Sequence, residues 1–357
     1  MKKKNFITVT LVAVFVFGLF MWNLFGKTSD FSETERRTLA KFPKITLENM
    51  LSGRFAKDFD KYATDHFPMR DAWRMIKTYS KTRVFAQKDN HGIYEAEGHI
   101  VKLDDSMNTK MLDHAIEIFQ KVERQYLEDN KVYLSIIPDK NYYLAKRNGY
   151  LSLDYEKLIT YMQNGMNYAK YIAIEDLLEA EDYYYTDSHW KQEQIIDVAQ
   201  RLTEEMGVVI QTEYQSKELD VPFYGVYVGQ SALSHVPDTI TYLVNETIEK
   251  VEVDGATAVY DMKKANGRDP YEMFLSGNQS VVTLKNPTNT VGKRLIVFRD
   301  SFGSSIAPLF VQGYSEIVLV DLRHISSDLL GEFVNFEGAD VLFLYSTLLL
   351  NNSLALK

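Results

Sequence analysis

Cysteine is absent from the 357 residues, which excludes a disulfide scaffold, a thiolate metal site and a cysteine nucleophile. That absence suits an exported bacterial protein, although many cytosolic proteins share it. Proline is scarce, at eight, against 45% hydrophobic and 25% charged residues. This is globular composition, and it excludes wholesale disorder and collagen-like repeats. Long hydrophobic runs are also few: one stretch near the start, too little for a polytopic membrane protein. Positive charge is the next shortage, with 40 Lys and Arg against 49 Asp and Glu, a net of −9. The first 27 residues hold four lysines and no acid, so the remainder carries −13. A body that acidic does not match nucleic acid, which needs clustered Lys and Arg. Aromatic residues are plentiful instead, at 13% and led by 23 tyrosines, which fits carbohydrate or surface contacts.

The one apolar run, Phe6 to Phe25, follows Lys2, Lys3 and Lys4. At helical rise about 20 residues span roughly 30 Å, the hydrocarbon thickness of a bilayer. Basic residues before the run and a long domain after it predict a cytoplasmic N-terminus and an extracytoplasmic body. The rival is a cleaved signal peptide, whose apolar core is shorter and ends at a small-x-small site. Here the run ends in bulky Met21-Trp22-Asn23-Leu24-Phe25, which favours an uncleaved anchor. Its lack of a small-xxx-small pattern gives no dimerisation signal.

Beyond a short stalk, residues 28 to about 45, the stretch Leu47 to Gln87 is helix-like, with Phe55, Phe59, Tyr62, Phe67, Trp73, Ile76 and Val84 spaced along one side. Gly92-Ile93-Tyr94 and His99-Ile100-Val101 read as a small hairpin, and Met107 to Asp129 as an amphipathic helix. Val132 to Ile137 is an apolar run ending in Pro138-Asp139-Lys140, the pattern of a buried parallel strand. Helices are expected over Tyr155 to Ala169 and Lys191 to Met206. The stretch from about 211 to 285 is mixed and β-leaning, with no topology legible. After it come a strand at Leu295 to Phe298, a short helix at Ile306 to Val311, a strand at Ile317 to Val320, a helix at Ser326 to Phe336 and a strand at Val341 to Tyr345. This alternation predicts an α/β fold, a parallel sheet covered on both faces.

Two short segments carry candidate chemistry. Arg299-Asp300-Ser301-Phe302-Gly303 follows an apolar strand and opens a helix, the place where ligands of open α/β sheets collect. Ser301 is a candidate nucleophile beside the oxyanion-stabilising N–H groups of a helix start, with Phe302 next to it. The plainer reading is that Asp300 and Ser301 only cap the helix. Asp187-Ser188-His189-Trp190 offers what such a serine needs: an imidazole to accept its proton and a carboxylate to fix the tautomer. Asp187 and His189 share a face only in extended chain, and the plainer reading is again a cap with an exposed histidine. Of seven histidines, His324, after Asp321-Leu322-Arg323, is the one competitor as base. No spacing of His, Asp and Glu resembles a metal site.

Taken together, Asp-x-His-Trp and a distant strand-Asp-Ser-Phe-Gly resemble the DHHW family and its relatives, the alginate O-acetyltransferase proteins of AlgJ and AlgX type. The resemblance runs from Phe31 to about Ser346. It is carried by the opening Phe31-Ser32-Glu33-Thr34-Glu35-Arg36-Arg37-Thr38-Leu39, by Phe55 to Arg70, by Ile137-Pro138-Asp139-Lys140, by Tyr184 to Trp190, by Val297 to Gly303 and by Val320-Asp321-Leu322-Arg323. It implies an SGNH-hydrolase-like (flavodoxin-like) domain with permuted motif order. On that resemblance Ser301 is the nucleophile, His189 the base and Asp187 its orienting partner. Two departures stand out: Ser188 where the family has His or Thr, and Arg299 where many SGNH enzymes have Gly. The usual oxyanion Gly and Asn are not recognisable; Gly277-Asn278 matches in letters only. Permutation directs attention to the loops at Arg323 and Tyr345 as pocket or oxyanion positions, where a surface ion pair and strand-end packing are the alternatives. Trp190 and Lys140 complete the candidate set.

The expected organisation is an anchor over residues 1–27, then a stalk, helical segment and hairpin over 28–104. An SGNH-like catalytic domain over 105–357 follows, with a β-leaning insertion at about 211–290. The expected activity is membrane-anchored, extracytoplasmic O-acetylation of a cell-envelope or secreted polysaccharide through an acyl-serine, without metal or other cofactor. The resemblance implies a membrane-bound O-acyltransferase partner supplying the acyl group. The alternatives are a carbohydrate acetylesterase with the same triad and a non-catalytic glycan-binding or assembly factor.

Overall fold

The computed structural model of the chain describes residues 2–26, 29–32, 34–233 and 235–357. Lys27, Thr28 and Glu33, which fall in the expected anchor, stalk and family-like opening, lie outside the described residues. The chain divides into two compact units, one of residues 1–90 with 228–234 and one of 91–227 with 235–357.

The smaller unit begins with α1 (Lys2–Phe25). Within it Lys3–Asn23 is apolar and long enough to cross a membrane, and none of it is buried. A minimal ribbon of β1 (Phe31–Ser32) and β2 (Arg37–Thr38) follows. The helix-like stretch 47–87 is not one helix but three: α2 (Leu47–Leu51), α3 (Arg54–Asp65) and α4 (Arg70–Tyr79). Gly53, at φ 73°, makes the first break, in the left-handed region that glycine enters without penalty. Pro68 and Met69, the latter at φ 57°, make the second. A wider π-type turn over Ser80–Val84 ends α4. Glu35 pairs with Arg70 and Arg74, and Arg37 with Asp65, so the opening segment is bound to α3 and α4 by charge.

The larger unit opens with the hairpin β3 (Ile93–Ala96) and β4 (His99–Lys102). Its turn places Glu97 and Gly98 at φ 51° and 83°, the mirror-image geometry that matches strand twist. The amphipathic α5 (Thr109–Tyr126) leads to β5 (Lys131–Ile137), the one-turn α6 (Lys140–Leu144), α7 (Tyr155–Gly165), β6 (Lys170–Tyr171) and α8 (Ile196–Glu205). α8 starts five residues later than its expected Lys191, because Trp190 is bridged to Tyr183 and a 3-10 turn intervenes at Gln192–Gln194.

The stretch left unassigned resolves into a separate ribbon of β7 (Gln215–Glu218) and β8 (Thr241–Val244), short helices α9 (Val226–Ser231), α10 (Glu246–Lys250) and α11 (Met262–Ala265), and two strands, β9 (Glu252–Asp254) and β10 (Val281–Lys285). The last two join the central sheet. Then come β11 (Arg294–Arg299), α12 (Phe302–Phe310), β12 (Glu316–Val320) and β13 (Ala339–Ser346). The expected helix at 326–336 is a 3-10 segment, Ser327–Glu332.

The sheet has seven strands in the order β6-β5-β13-β11-β12-β10-β9. The first five run parallel, and β10 and β9 add an antiparallel edge, so the sheet is mostly rather than wholly parallel. Alternation along β11 shows why both faces must be covered. Leu295 and Val297 enter one core with α8 and α12, while Ile296 and Phe298 enter the other with α5 and α7. At and past the carboxyl ends of β5, β11, β12 and β13 lie the buried polar residues Asp139, Lys140, Asp300, Asp321 and Ser346.

Candidate active site

β11 is buried from Leu295 onward, and its apolar run gives way to Arg299-Asp300 just before Ser301. Asp300 decides the geometry of this turn. Its Oδ1 accepts from the Phe302 N–H at 3.0 Å, and its Oδ2 accepts from the Ser346 N–H at 2.9 Å and the Ser346 hydroxyl at 2.7 Å. Asp300 therefore ties β11 to the end of β13 and takes the first N–H of α12. The Ser301 hydroxyl makes no capping bond to the helix. It lies 2.7 Å from His189 Nε2. The Phe302 N–H, expected as the neighbouring oxyanion donor, is occupied by Asp300. The Ser301 N–H makes no hydrogen bond among the described residues and stands at the positive end of α12.

Tyr183 and Trp190 pair as an antiparallel bridge, closing the loop that carries the base. Tyr184 N–H donates to the His189 carbonyl at 3.1 Å, and Lys191 N–H to Asp182 at 2.7 Å. Inside this loop Asp187 Oδ1 accepts from His189 Nδ1 at 2.6 Å and from the His189 backbone N–H at 3.1 Å. Asp187 Oδ2 accepts from the Val226 N–H at 2.8 Å. Burial alone would raise this carboxyl, but the imidazole's charge and these hydrogen bonds hold it well below the usual carboxylate range. With a proton on Nδ1 facing the carboxylate, Nε2 is left as the acceptor for the serine hydroxyl. The imidazole stacks on Tyr271 at a centroid distance of 4.0 Å and leans on Phe302 at 4.8 Å. Tyr271 is itself fixed, its hydroxyl donating to Ser305 Oγ at 2.9 Å.

The remaining sequence-derived residues divide by what they touch. Trp190 is fully buried and donates from Nε1 to the Phe302 carbonyl and to Ser305 Oγ, pinning the base loop to α12. Lys140 is buried as well, donating from Nζ to the Tyr184 and Tyr185 carbonyls at 2.9 and 3.2 Å. Burial pushes its ammonium down to about 7, against the opposing pull of Asp187, Asp238 and Asp139. From the other side of that loop, Asp238 accepts from the Tyr185 and Thr186 N–H groups, both at 2.8 Å. Burial raises neighbouring Asp139 to about 6, although Thr347, Asn141 and Tyr155 all donate to it.

The Ser301 hydroxyl bonds to His189, and no hydrogen bond joins it to Arg323 or Tyr345 among the described residues. Arg323 pairs with the fully buried Asp321 at 2.6 Å, and Tyr345 is buried against Phe119. Arg299 is 1% exposed, and its Nη1 reaches Asp321 at 3.4 Å. His324 is exposed. Among the described residues no three His, Asp or Glu side chains converge as a metal site.

Sequence reasoning missed Tyr271, Val226, Asp238 and Ser305, and pointed to the Tyr345-Ser346 loop without assigning Ser346 its bond to Asp300. Each acts from a distant segment through tertiary contacts, and nothing local to any of them marks it. Gln192 was legible only as part of a helix, yet its amide bridges the Ser305 carbonyl and the Leu243 N–H.

A family model described as DHHW protein matches residues 104–320, more than half of the chain and both candidate segments. The chain belongs to the DHHW family. Among solved structures, this DHHW chain is similar to a DHHW family protein from Eubacterium siraeum, at 21% identity, a TM-score of 0.59, and 73% and 93% coverage of the two chains. It is similar also to Bacillus cereus PatB1, at 15% identity, a TM-score of 0.57, and 72% and 96% coverage. The O-acetyltransferase domain of Pseudomonas putida AlgJ matches more remotely, at 11% identity, a TM-score of 0.44, and 73% and 92% coverage. At these identities the likeness is one of fold. No curated protein matches the DHHW chain.

Proposed function

We propose that this protein is a membrane-anchored, extracytoplasmic O-acetyltransferase that acylates a cell-envelope or secreted polysaccharide. The observation that carries the reading is the continuous chain Asp187–His189–Ser301, with both links between 2.6 and 2.7 Å. Ser301 Oγ attacks the carbonyl of an acyl donor, its proton passing to His189 Nε2, and a C–O bond forms as the carbonyl oxygen takes up charge. The Ser301 N–H and the start of α12 stabilise that oxyanion. The leaving group departs with the proton from Nε2, leaving acyl-Ser301. A sugar hydroxyl then attacks, its proton goes to Nε2, and Ser301 leaves with that proton. Asp187 holds the tautomer that both halves require.

The acetyl and polysaccharide parts of the reading come from the family resemblance carried by Tyr184 to Trp190 and Val297 to Gly303. In that resemblance a membrane-bound O-acyltransferase supplies the acyl group, and α1 keeps the site at the membrane where such a donor works. Incubation of the full chain with an activated acetyl ester, with and without oligosaccharide acceptors, tests the reading. Acetylated sugar in amounts above free acetate is expected. Acetate alone, with acetylated glycans losing their acetyl groups, would make the protein an esterase.

A further inference from the structure

The smaller unit carries apolar surface that its own fold leaves uncovered. α2 and α3 bury none of their residues, although amphipathic helices are ordinarily stabilised by packing one face. Phe42, 53% exposed, lays its ring on Phe55, Phe59 and Tyr62 of α3, and after it four large apolar side chains stand in solvent: Ile45 at 68%, Leu47 at 76%, Met50 at 57% and Leu51 at 81% exposure. In the larger unit exposed apolar residues are scattered singly, which is ordinary.

Cations surround this patch. Lys41, Lys44, Arg54, Lys57 and Lys61 are all exposed, and none has an ion-pair partner among the described residues. The other arginines of the unit behave differently: Arg37, Arg70 and Arg74 are all paired with Glu35 or Asp65. The charge of the chain is split accordingly. Residues 29–90 hold 13 Lys and Arg against nine Asp and Glu, whereas residues 91–357 hold 23 against 40. α3 meets the end of the apolar N-terminal helix. The end of α1 (Trp22, Asn23, Gly26) and the end of α3 (Asp65, His66) line one cavity of about 220 Å³. α3 has 12 residues, so its far end, beside the patch, lies about 18 Å from the end that lines this cavity.

From this arrangement we infer that Phe42–Leu51, flanked by the five unpaired cations, lies in the surface of an anionic lipid bilayer. The inference rests on the reading of α1 as a membrane span. The apolar side chains enter the boundary between head groups and acyl chains, and the lysine and arginine heads reach lipid phosphates. The protein is thereby seated on the bilayer by two elements, one spanning and one lying flat.

The absence of cysteine makes the test direct. Leu51→Cys and, separately, Val14→Cys are labelled with an environment-sensitive fluorophore in the full chain. Each protein is reconstituted in vesicles of phosphatidylcholine with about one third phosphatidylglycerol, carrying doxyl-lipid quenchers. Val14 is quenched by mid-chain doxyl lipid if α1 spans. Leu51 is expected to be quenched by shallow doxyl lipid, and less so without phosphatidylglycerol, in 0.5 M salt, or after Lys41→Glu with Lys44→Glu. Quenching at Val14 with a water-like, unquenched Leu51 overturns the surface inference and leaves the anchor standing, as when a protein partner covers the patch. Lack of quenching at Val14 overturns the anchor and this inference together.

Discussion

One oxygen of Asp187 grips His189 at two points, the ring Nδ1 at 2.6 Å and the backbone N–H at 3.1 Å. Residues two apart meet in this way because the Tyr183–Trp190 bridge folds the intervening chain into a closed loop. The same short segment therefore supplies the base, its orienting carboxylate and, in Trp190, the bolt to α12. Asp187 is not exposed to water, and its other oxygen is taken by the Val226 N–H. The imidazole consequently has one orientation, with Nε2 directed at Ser301.

Asp187→Asn keeps the shape of the carboxylate but removes its charge and offers the ring the wrong tautomer. Acyl-enzyme formation is expected to fall by about 10²–10⁴-fold, with thermal stability reduced at neutral pH because the ionised carboxylate is gone. The carboxyl is lowered in the folded state, so the stability it contributes is present above the unfolded value of about 4 and is lost as pH falls. Acid unfolding of the Asn variant, followed by circular dichroism, is accordingly expected to be shallower below pH 4. An Asn variant with unchanged acylation would remove Asp187 from the account.

Lys140 titrates in the opposite sense. Its folded value of about 7 lies below the unfolded value of 10.5, so the folded state binds the proton less tightly. The cost of burying the charged form is full below pH 7 and fades between pH 7 and 10.5. Lys140→Met is expected to lose stability at pH 9 relative to wild type, because the Tyr184 and Tyr185 carbonyls lose their donor. The deficit is expected to narrow towards pH 6. Melting temperatures of the two proteins at four pH values give the comparison.

Tyr271 separates stacking from hydrogen bonding. Tyr271→Phe keeps the ring against His189 and loses the bond to Ser305, at about 1 kcal/mol. Its acylation rate is expected to stay within a few-fold of wild type. Tyr271→Ala removes the wall behind the imidazole and is expected to slow acylation by at least tenfold. Equal rates for Phe and Ala would show that the stack does not position the base.

Gly225 has no room for a side chain. A Cβ there would sit 2.3 Å from the Thr186 backbone, next to the residue that orients the base. Gly225→Ala is expected to destabilise the protein by about 1–3 kcal/mol and to lose acylation, since the clash falls on the loop that carries Asp187. Denaturant unfolding beside the acylation assay reads both effects.

The legible parts of the fold were those whose signal is local. β5, β11, β12 and β13 are short apolar runs because both their faces are covered, and such runs are visible without knowing their partners. β9, at the sheet edge, and β10, next to it, are strands of three and five residues with polar positions, so only their pairing with each other and with β12 defines them. At the site, Asp187, His189 and Ser301 stood out because each lies in a compact motif next to a predicted element. Tyr271 and Ser305 did not, since an aromatic ring or a serine becomes part of a site only through tertiary contact. Asp300 was ambiguous between cap and catalytic neighbour, and the structure gives it the cap while leaving the Ser301 hydroxyl to His189.

The central claim is that Ser301 is a nucleophile activated by His189. The full chain in detergent, treated with an activated acetyl ester and digested for peptide mass spectrometry, tests it most directly. The account predicts one acetyl group per chain, on the peptide containing Ser301, absent in Ser301→Ala and reduced about 10³-fold or more in His189→Ala. A folded wild-type protein that acquires no acetyl group there, or acquires it equally in His189→Ala, would contradict it.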